Sequence, residues 1–286
     1  MSLEEAAAIA AGLRAAPKGL APEARRAGFE ARAAQTPLPA DARFEPVEFA
    51  PGLTGLHVSV PESEPGRVLL WFHGGAFILG SSASWRRFAC DVARAGRVSV
   101  LLPDYRLAPE HPFPAAYEDA LACCAWLDAQ GVAVEHRAIG GDSAGGNLAL
   151  GALAAGARFA AAWFVSPYID LTNSAPSITE RRARDPFVDP DDGTAARYLA
   201  GADARDPRAS PAFADLSAAP PSLIQVGSDE VLFDDARRLG ERLPDAVFQE
   251  WVGMFHVFPM FAAVLEEGRH AIAQGGAFLR LRLGLA

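Results

Sequence analysis

The stretch Gly140-Gly141-Asp142-Ser143-Ala144-Gly145-Gly146 decides how this chain is read. Upstream, residues 133–139 predict a buried strand, and downstream residues 147–154 predict a helix. Between them Gly141-x-Ser143-x-Gly145 has the spacing of a strand-turn-helix elbow, which lifts a serine hydroxyl above a sheet on a strained turn. Glycines two residues either side leave room for neighbouring backbone to approach. Alone, the pattern recurs by chance in chains of this length, and its bland reading is a glycine-rich turn with an idle serine. The surrounding chain has to decide.

Outward from the elbow, strands and helices alternate. Residues 67–72 form a continuous apolar run, as expected of a strand covered on both faces, and lead into His73-Gly74-Gly75-Ala76. Further strands are predicted over 98–102, 159–165, 223–226 and 247–252, and a hairpin over 44–49 and 53–60 around Pro51-Gly52. Helices are predicted over 84–95, 114–130, 234–243 and 258–273, the last with a tail that extends it. The sum is an α/β fold: an eight-stranded, mostly parallel sheet with helices on both faces. Residues 1 to about 40 read as helical and alanine-rich, broken at Pro17, Pro22, Pro37 and Pro39, and need something to pack on. From residue 169 to about 217 prolines, aspartates and arginines crowd together around a short helical stretch at 194–199, which reads as an insertion lying over the sheet.

With 286 residues, half of them hydrophobic and 21% charged, the chain suits one large soluble α/β domain or two small ones, with a substantial core. A net charge of −9 argues against a nucleic-acid partner. Cys90, Cys123 and Cys124 are odd in number, two are adjacent, and none has metal-ligand spacing, which reads as reduced thiols in a cytoplasmic protein with no metal. Glu4 and Glu5 stand where a secretory signal would be basic, and the apolar run 6–13 is too short to span a bilayer, so no membrane partner is expected.

If Ser143 is a nucleophile it needs a base, an orienting acid and an oxyanion hole, all in loops at the carboxyl ends of strands. The chain order for such an elbow is serine, acid, histidine. Of six histidines, His57 and His136 fall in predicted strands, His73 and His111 precede Ser143, and His270 lies in the last helix. His256 alone follows a strand directly. For the acid, Asp229 and Glu230 stand together at the tip of one strand. Asp229, first into the loop, is the choice, with Glu230 as its competitor. Asp234 and Asp235 open the next helix, where negative charge suits the dipole. Gly74 and Gly75, with the amide of Ala144, are the candidate oxyanion donors. Asp142 reads as a brace for that loop, and Asp104-Tyr105-Arg106 with Glu110-His111 as structural.

The stretches 72–77, 104–116, 141–147, 166–171, 227–232 and 255–258 resemble, in the same order, the motifs of the hormone-sensitive-lipase-like branch of α/β-hydrolases. The likeness covers about residues 65–275. It implies a Ser143, Asp229, His256 triad, oxyanion donors at Gly74, Gly75 and Ala144, and a single α/β-hydrolase domain capped by residues 1–40 and 172–217. It implies a cofactor-free serine carboxylesterase and allows a homodimer, and the charged, proline-rich cap segments, with no long apolar lid, favour short acyl chains. Phe77, Phe187 and Phe255, next to the site or in the insertion, are candidate pocket residues. Ala76 replaces the third glycine of the family's first motif, and the branch accommodates bulky alcohols. The triad alone equally serves amides, lactones or acetylated natural products, and the wider fold also contains non-catalytic ligand receptors.

Overall fold

The computed structural model describes residues 3–15, 20–190 and 192–285. In chain order its elements are α1 (Leu3–Arg14), α2 (Pro22–Ala33), β1 (Arg43–Ala50), β2 (Leu53–Ser59), β3 (Val68–Phe72), α3 (Arg86–Gly96), β4 (Ser99–Pro103), α4 (Ala115–Ala129), β5 (Arg137–Asp142) and α5 (Ala144–Ala154). They continue with β6 (Ala161–Val165), α6 (Pro176–Glu180), α7 (Thr194–Leu199), β7 (Ser222–Gly227), α8 (Phe233–Arg242), β8 (Ala246–Trp251) and α9 (Glu266–Arg282).

All eight strands join one sheet in the order β1-β2-β4-β3-β5-β6-β7-β8. The β1–β2 and β2–β4 pairs are antiparallel, and every pair from β4 across to β8 is parallel. The period-two alternation of a strand sorts its residues between two cores. Leu70 and Phe72 of β3 face one, with Ala120 of α4, Leu148 of α5 and Leu239 of α8. Leu69 and Trp71 face the other, with Phe88 of α3 and Leu279 of α9. Both faces are covered, which is why β3, β4, β5, β6 and β7 are buried throughout. The six parallel strands point the same way, so the loops after β3, β5, β7 and β8 gather at one edge.

Besides α6, which the sequence reading does not anticipate, and shifts of a residue or two at element ends, the predicted elements differ from the observed ones in three places. Residues 134–136 form a single 3₁₀ turn and β5 begins only at Arg137, so His136 precedes the strand. Val134 and His136 are half-buried there and Glu135 is exposed, so the run records partial burial rather than strand pairing. The helix predicted from 258 is two pieces: a 3₁₀ turn at Phe258–Phe261, then α9 from Glu266. Leu265 between them is extended (φ −118, ψ 122) and fully buried in a cluster with Phe258 and Ala271, and that burial bends the chain. Pro22 opens α2 at its first turn rather than breaking a helix, a position where the missing N–H is not needed. Pro17 lies outside the described residues.

The N-terminal helices pack where the sequence left them without a core. Ala6 of α1 enters the cluster of Met254, Phe255 and Phe258. From α2, Arg26 donates to the carbonyls of Ile78 and Ala108 at 2.6 and 2.8 Å. Glu30 accepts from the hydroxyls of Ser81 and Ser84. The same helices meet the insertion, through Arg14 to the Arg184 carbonyl and Arg25 to Asp192. Among the described residues no helix is long and apolar enough to cross a membrane.

Candidate active site

Ser143 sits between β5 and α5 with φ 52 and ψ −120, a left-handed conformation that costs a non-glycine residue about 1–3 kcal/mol. The turn is possible because its flanking glycines carry no side chain. A Cβ on Gly141 would strike the backbone of Gly145, and one on Gly145 would strike the Phe72 carbonyl at the end of β3. The Ser143 hydroxyl then faces His256, with Oγ 3.0 Å from Nε2.

His256 comes from the loop after β8, and its Nδ1 lies 2.7 Å from Oε2 of Glu230. Because Nδ1 faces a carboxylate it carries the proton, which leaves Nε2 of the neutral ring as acceptor for the serine hydroxyl. Burial by itself would lower the pKa of this imidazole. The Glu230 hydrogen bond and the charges of Glu230, Asp185 and Asp142 outweigh burial and raise it.

The partner of His256 is therefore Glu230 and not Asp229, which corrects the reading from sequence. The backbone explains the exchange. Asp229 N–H donates to the Met254 carbonyl at 2.9 Å, Ser228 N–H to the Trp251 carbonyl at 2.9 Å, and Gly253 N–H to Ser228 Oγ at 2.8 Å. This knitting of the two loops turns the Asp229 side chain outward, where it is one-third exposed and 3.7 Å from Arg184. Glu230, fully buried, points inward; its Oε1 accepts from Gly227 N–H at 2.6 Å and from Ser166 Oγ at 2.8 Å. Ser166 also accepts from Val257 N–H at 3.1 Å, so one hydroxyl ties the acid to the residue after His256. The sequence marks Ser166 only as the first residue of the 166–171 stretch at the end of β6, with no role attached to its hydroxyl.

A second correction concerns Gly74. Its N–H donates to Oδ2 of Asp142 at 3.0 Å, so it is not free to meet an oxyanion. The amides of Gly75, Ala76 and Ala144 have no protein acceptor among the described residues. Gly75 and Ala76 both have positive φ, 111 and 54, which turns the loop after β3 over the elbow. Ala76 was not among the sequence candidates, because alanine carries no turn signal of the kind its two preceding glycines give. Asp142 is the brace the sequence suggested. Its other oxygen accepts from the indole N–H groups of Trp71 and Trp85 at 3.0 and 2.8 Å, and burial pushes its pKa up to about 7.

Of the three candidate pocket aromatics, only Phe187 meets the site. Its ring is 5.8 Å from that of His256, edge to face, and 37% exposed. Phe77 is wholly buried, stacked on Tyr198 at 3.8 Å, and Phe255 packs against Phe261 in the small cluster under α1, so neither lines an open pocket. His73 is a turn residue. Its ring stacks on Tyr105, Nδ1 lies 2.7 Å from the Gly74 carbonyl, and burial drives its pKa down to about 4. Asp104 accepts from the Ser82 N–H and hydroxyl, Arg106 binds Asp119, and Glu110 binds Arg26, all structural. Asp235 does not cap α8; it reaches across to the Ile169 and Asp170 amides. Among the described residues no group of three or more His, Cys, Asp or Glu side chains is arranged to hold a metal ion.

A family model described as alpha/beta hydrolase fold matches residues 69–260. An acetyl-hydrolase of Streptomyces hygroscopicus is 46% identical over 235 residues, 78% of this chain and 79% of its own. An esterase of Acinetobacter venetianus is 34% identical over 271 residues, 91% and 89% of the two chains. Among solved structures, an esterase from the bacterial hormone-sensitive lipase family superposes with a TM-score of 0.94 at 38% identity over 99% and 98% of the chains. The esterase EstE5, soaked with p-nitrophenyl butyrate, superposes with 0.93 at 38% identity over 98% and 99%.

Proposed function

The chain belongs to the α/β-hydrolase family, on its hormone-sensitive-lipase-like branch, and from that premise we propose that it is a serine carboxylesterase acting through Ser143, His256 and Glu230. The observation that carries the reading is the unbroken line from the strained Ser143 hydroxyl through both ring nitrogens of His256 to a buried carboxylate. Along that line, His256 Nε2 takes the hydroxyl proton as Oγ attacks the ester carbonyl. Glu230 holds the ring in the required tautomer and offsets the imidazolium charge. The amides of Gly75, Ala76 and Ala144 converge on the oxyanion, with Ala76 in the role first given to Gly74. His256 returns the proton to the leaving alcohol, and the same imidazole then activates the water that releases the acyl group.

Residues 1–40 and 172–217 act as a cap over this edge, a reading supported by the bonds of Arg14 and Arg25 to the insertion and of Arg26 to the loop after β3. Their charged, proline-rich character favours short acyl chains, and the acetyl-hydrolase relative points the same way. The outer edge of β8, which pairs with no further strand among the described residues and exposes Val247, supports a homodimer through that strand. Three free, buried cysteines favour a reducing, cytoplasmic location.

Hydrolysis of p-nitrophenyl butyrate by the wild type, Ser143→Ala and His256→Ala tests the reading. Each variant is expected to lose about a thousandfold or more in kcat. A wild type inert on all activated esters, or a Ser143→Ala variant that still turns over, contradicts it.

A further inference from the structure

The insertion is tied to the loop that carries Glu230. Ser177 Oγ donates to the Val231 carbonyl at 2.6 Å, and Ser177 N–H donates to Asp234 at 2.9 Å. Arg181 donates to the Ser228 carbonyl and lies 3.6 Å over the Phe233 ring. Asp185, buried, holds both sides at once. Its Oδ2 accepts from Val231 N–H at 2.9 Å, and its Oδ1 accepts from Phe187 N–H at 2.8 Å and Val188 N–H at 3.1 Å. Val231 directly follows Glu230, and Phe187 is the aromatic whose edge meets His256. One carboxylate thus fixes the main chain beside the acid and the main chain beneath the aromatic.

We propose that Asp185 is a positioning residue that docks the insertion on the acid loop and seats Phe187 as the apolar wall for the alcohol part of the ester. The inference rests on the esterase reading. The leaving alcohol takes its proton from His256, so it lies beside that ring, and the partly exposed Phe187 ring, 5.8 Å from it, offers an apolar surface there. The site therefore prefers esters of aryl and other apolar alcohols over methyl esters of the same acid. The charged groups that act on His256 are Glu230 from the loop after β7, Asp142 from β5 and Asp185 from the insertion, and all three favour the imidazolium. Removing the Asp185 charge therefore moves the proton off His256 at lower pH.

The experiment compares wild type, Asp185→Asn and Phe187→Ala on phenyl and methyl butyrate across pH. Asp185→Asn is expected to move the acid limb of kcat/KM down by about 0.5–1 unit, the low end of what a nearby charge does. Above that limb, both variants are expected to raise KM for phenyl butyrate about fivefold more than KM for methyl butyrate, the loss of a partial aromatic contact. A purely structural Asp185 would change melting temperature and leave the limb where it was. An unmoved limb, or an unchanged ratio between the two esters, overturns the proposal. Should Asp185→Asn fail to fold, Phe187→Ala at its exposed position still decides through the ester ratio. A wild type inert on both esters instead refutes the esterase reading itself.

Discussion

One bond along the chain separates the two carboxylates at the tip of β7, and it reverses which of them faces the histidine. Both were visible in the sequence. What selects between them is a pairing between distant segments, Asp229 N–H with the Met254 carbonyl, and such pairings leave no local mark in the sequence. The same holds for Gly74, whose amide is taken by a carboxylate 68 residues away. Ser143 and His256 were legible because strand ends and chain order constrain them without any knowledge of side-chain direction. The corrected acid has kinetic consequences. Glu230→Gln is expected to lower kcat about a hundredfold to ten-thousandfold, the range for losing the group that sets the tautomer. Asp229→Asn, removing a partly exposed charge beside Arg184, is expected to stay within about threefold. Because His256 must be neutral to act as base, kcat/KM should climb along an acid limb centred above the ordinary histidine value of 6.5. Glu230→Gln should bring the residual limb down in pH; a limb that stays put would remove Glu230 from the site.

At the scale of elements, the elbow is the best-specified piece of the chain because steric demand wrote it into residue type. Gly141 and Gly145 are required by backbone approach, and β5 and α5 follow from apolar pattern on either side. Gly145→Ala places a methyl group against the Phe72 carbonyl and is expected to destabilise the fold by about 2–3 kcal/mol, readable as a lower denaturant midpoint with an unchanged slope. A midpoint equal to wild type would mean the elbow is looser than its geometry implies. Elements shaped by tertiary burial were harder to read. Leu265 looks helical by pattern, yet its place in the cluster of Phe258 and Ala271 interrupts the helix. Residues 134–136 look like strand, yet the sheet registers only from Arg137, which pairs with Val68.

For the molecule as a whole, the parallel strands gather their following loops at one edge, and side-chain bonds fasten those loops to one another and to the N-terminal helices. Some of that fastening uses carboxylates held away from water. Burial raises Asp142 and Asp235 to about 7 from an ordinary 3.8. A carboxylate whose folded pKa is raised binds more protons folded than unfolded, so its contribution to stability falls as pH rises from about 4 to 7. His73, lowered to about 4 from 6.5, acts in the opposite direction, losing stability as pH falls through that window. The wild-type curve sums these, so a difference isolates one. Asp235→Asn keeps an oxygen for the Ile169 and Asp170 amides and removes the titration. Its melting temperature is expected to drop less between pH 5 and pH 8 than that of wild type; equal drops would show that Asp235 ionises at no cost. The most direct measurement on the central claim is covalent labelling with a fluorophosphonate, followed by intact mass, peptide mapping and residual turnover of p-nitrophenyl butyrate. A single adduct per chain is expected, on the peptide holding Ser143, with turnover lost in proportion and no adduct in Ser143→Ala. Labelling at another serine, or full labelling of Ser143 with turnover intact, would contradict it.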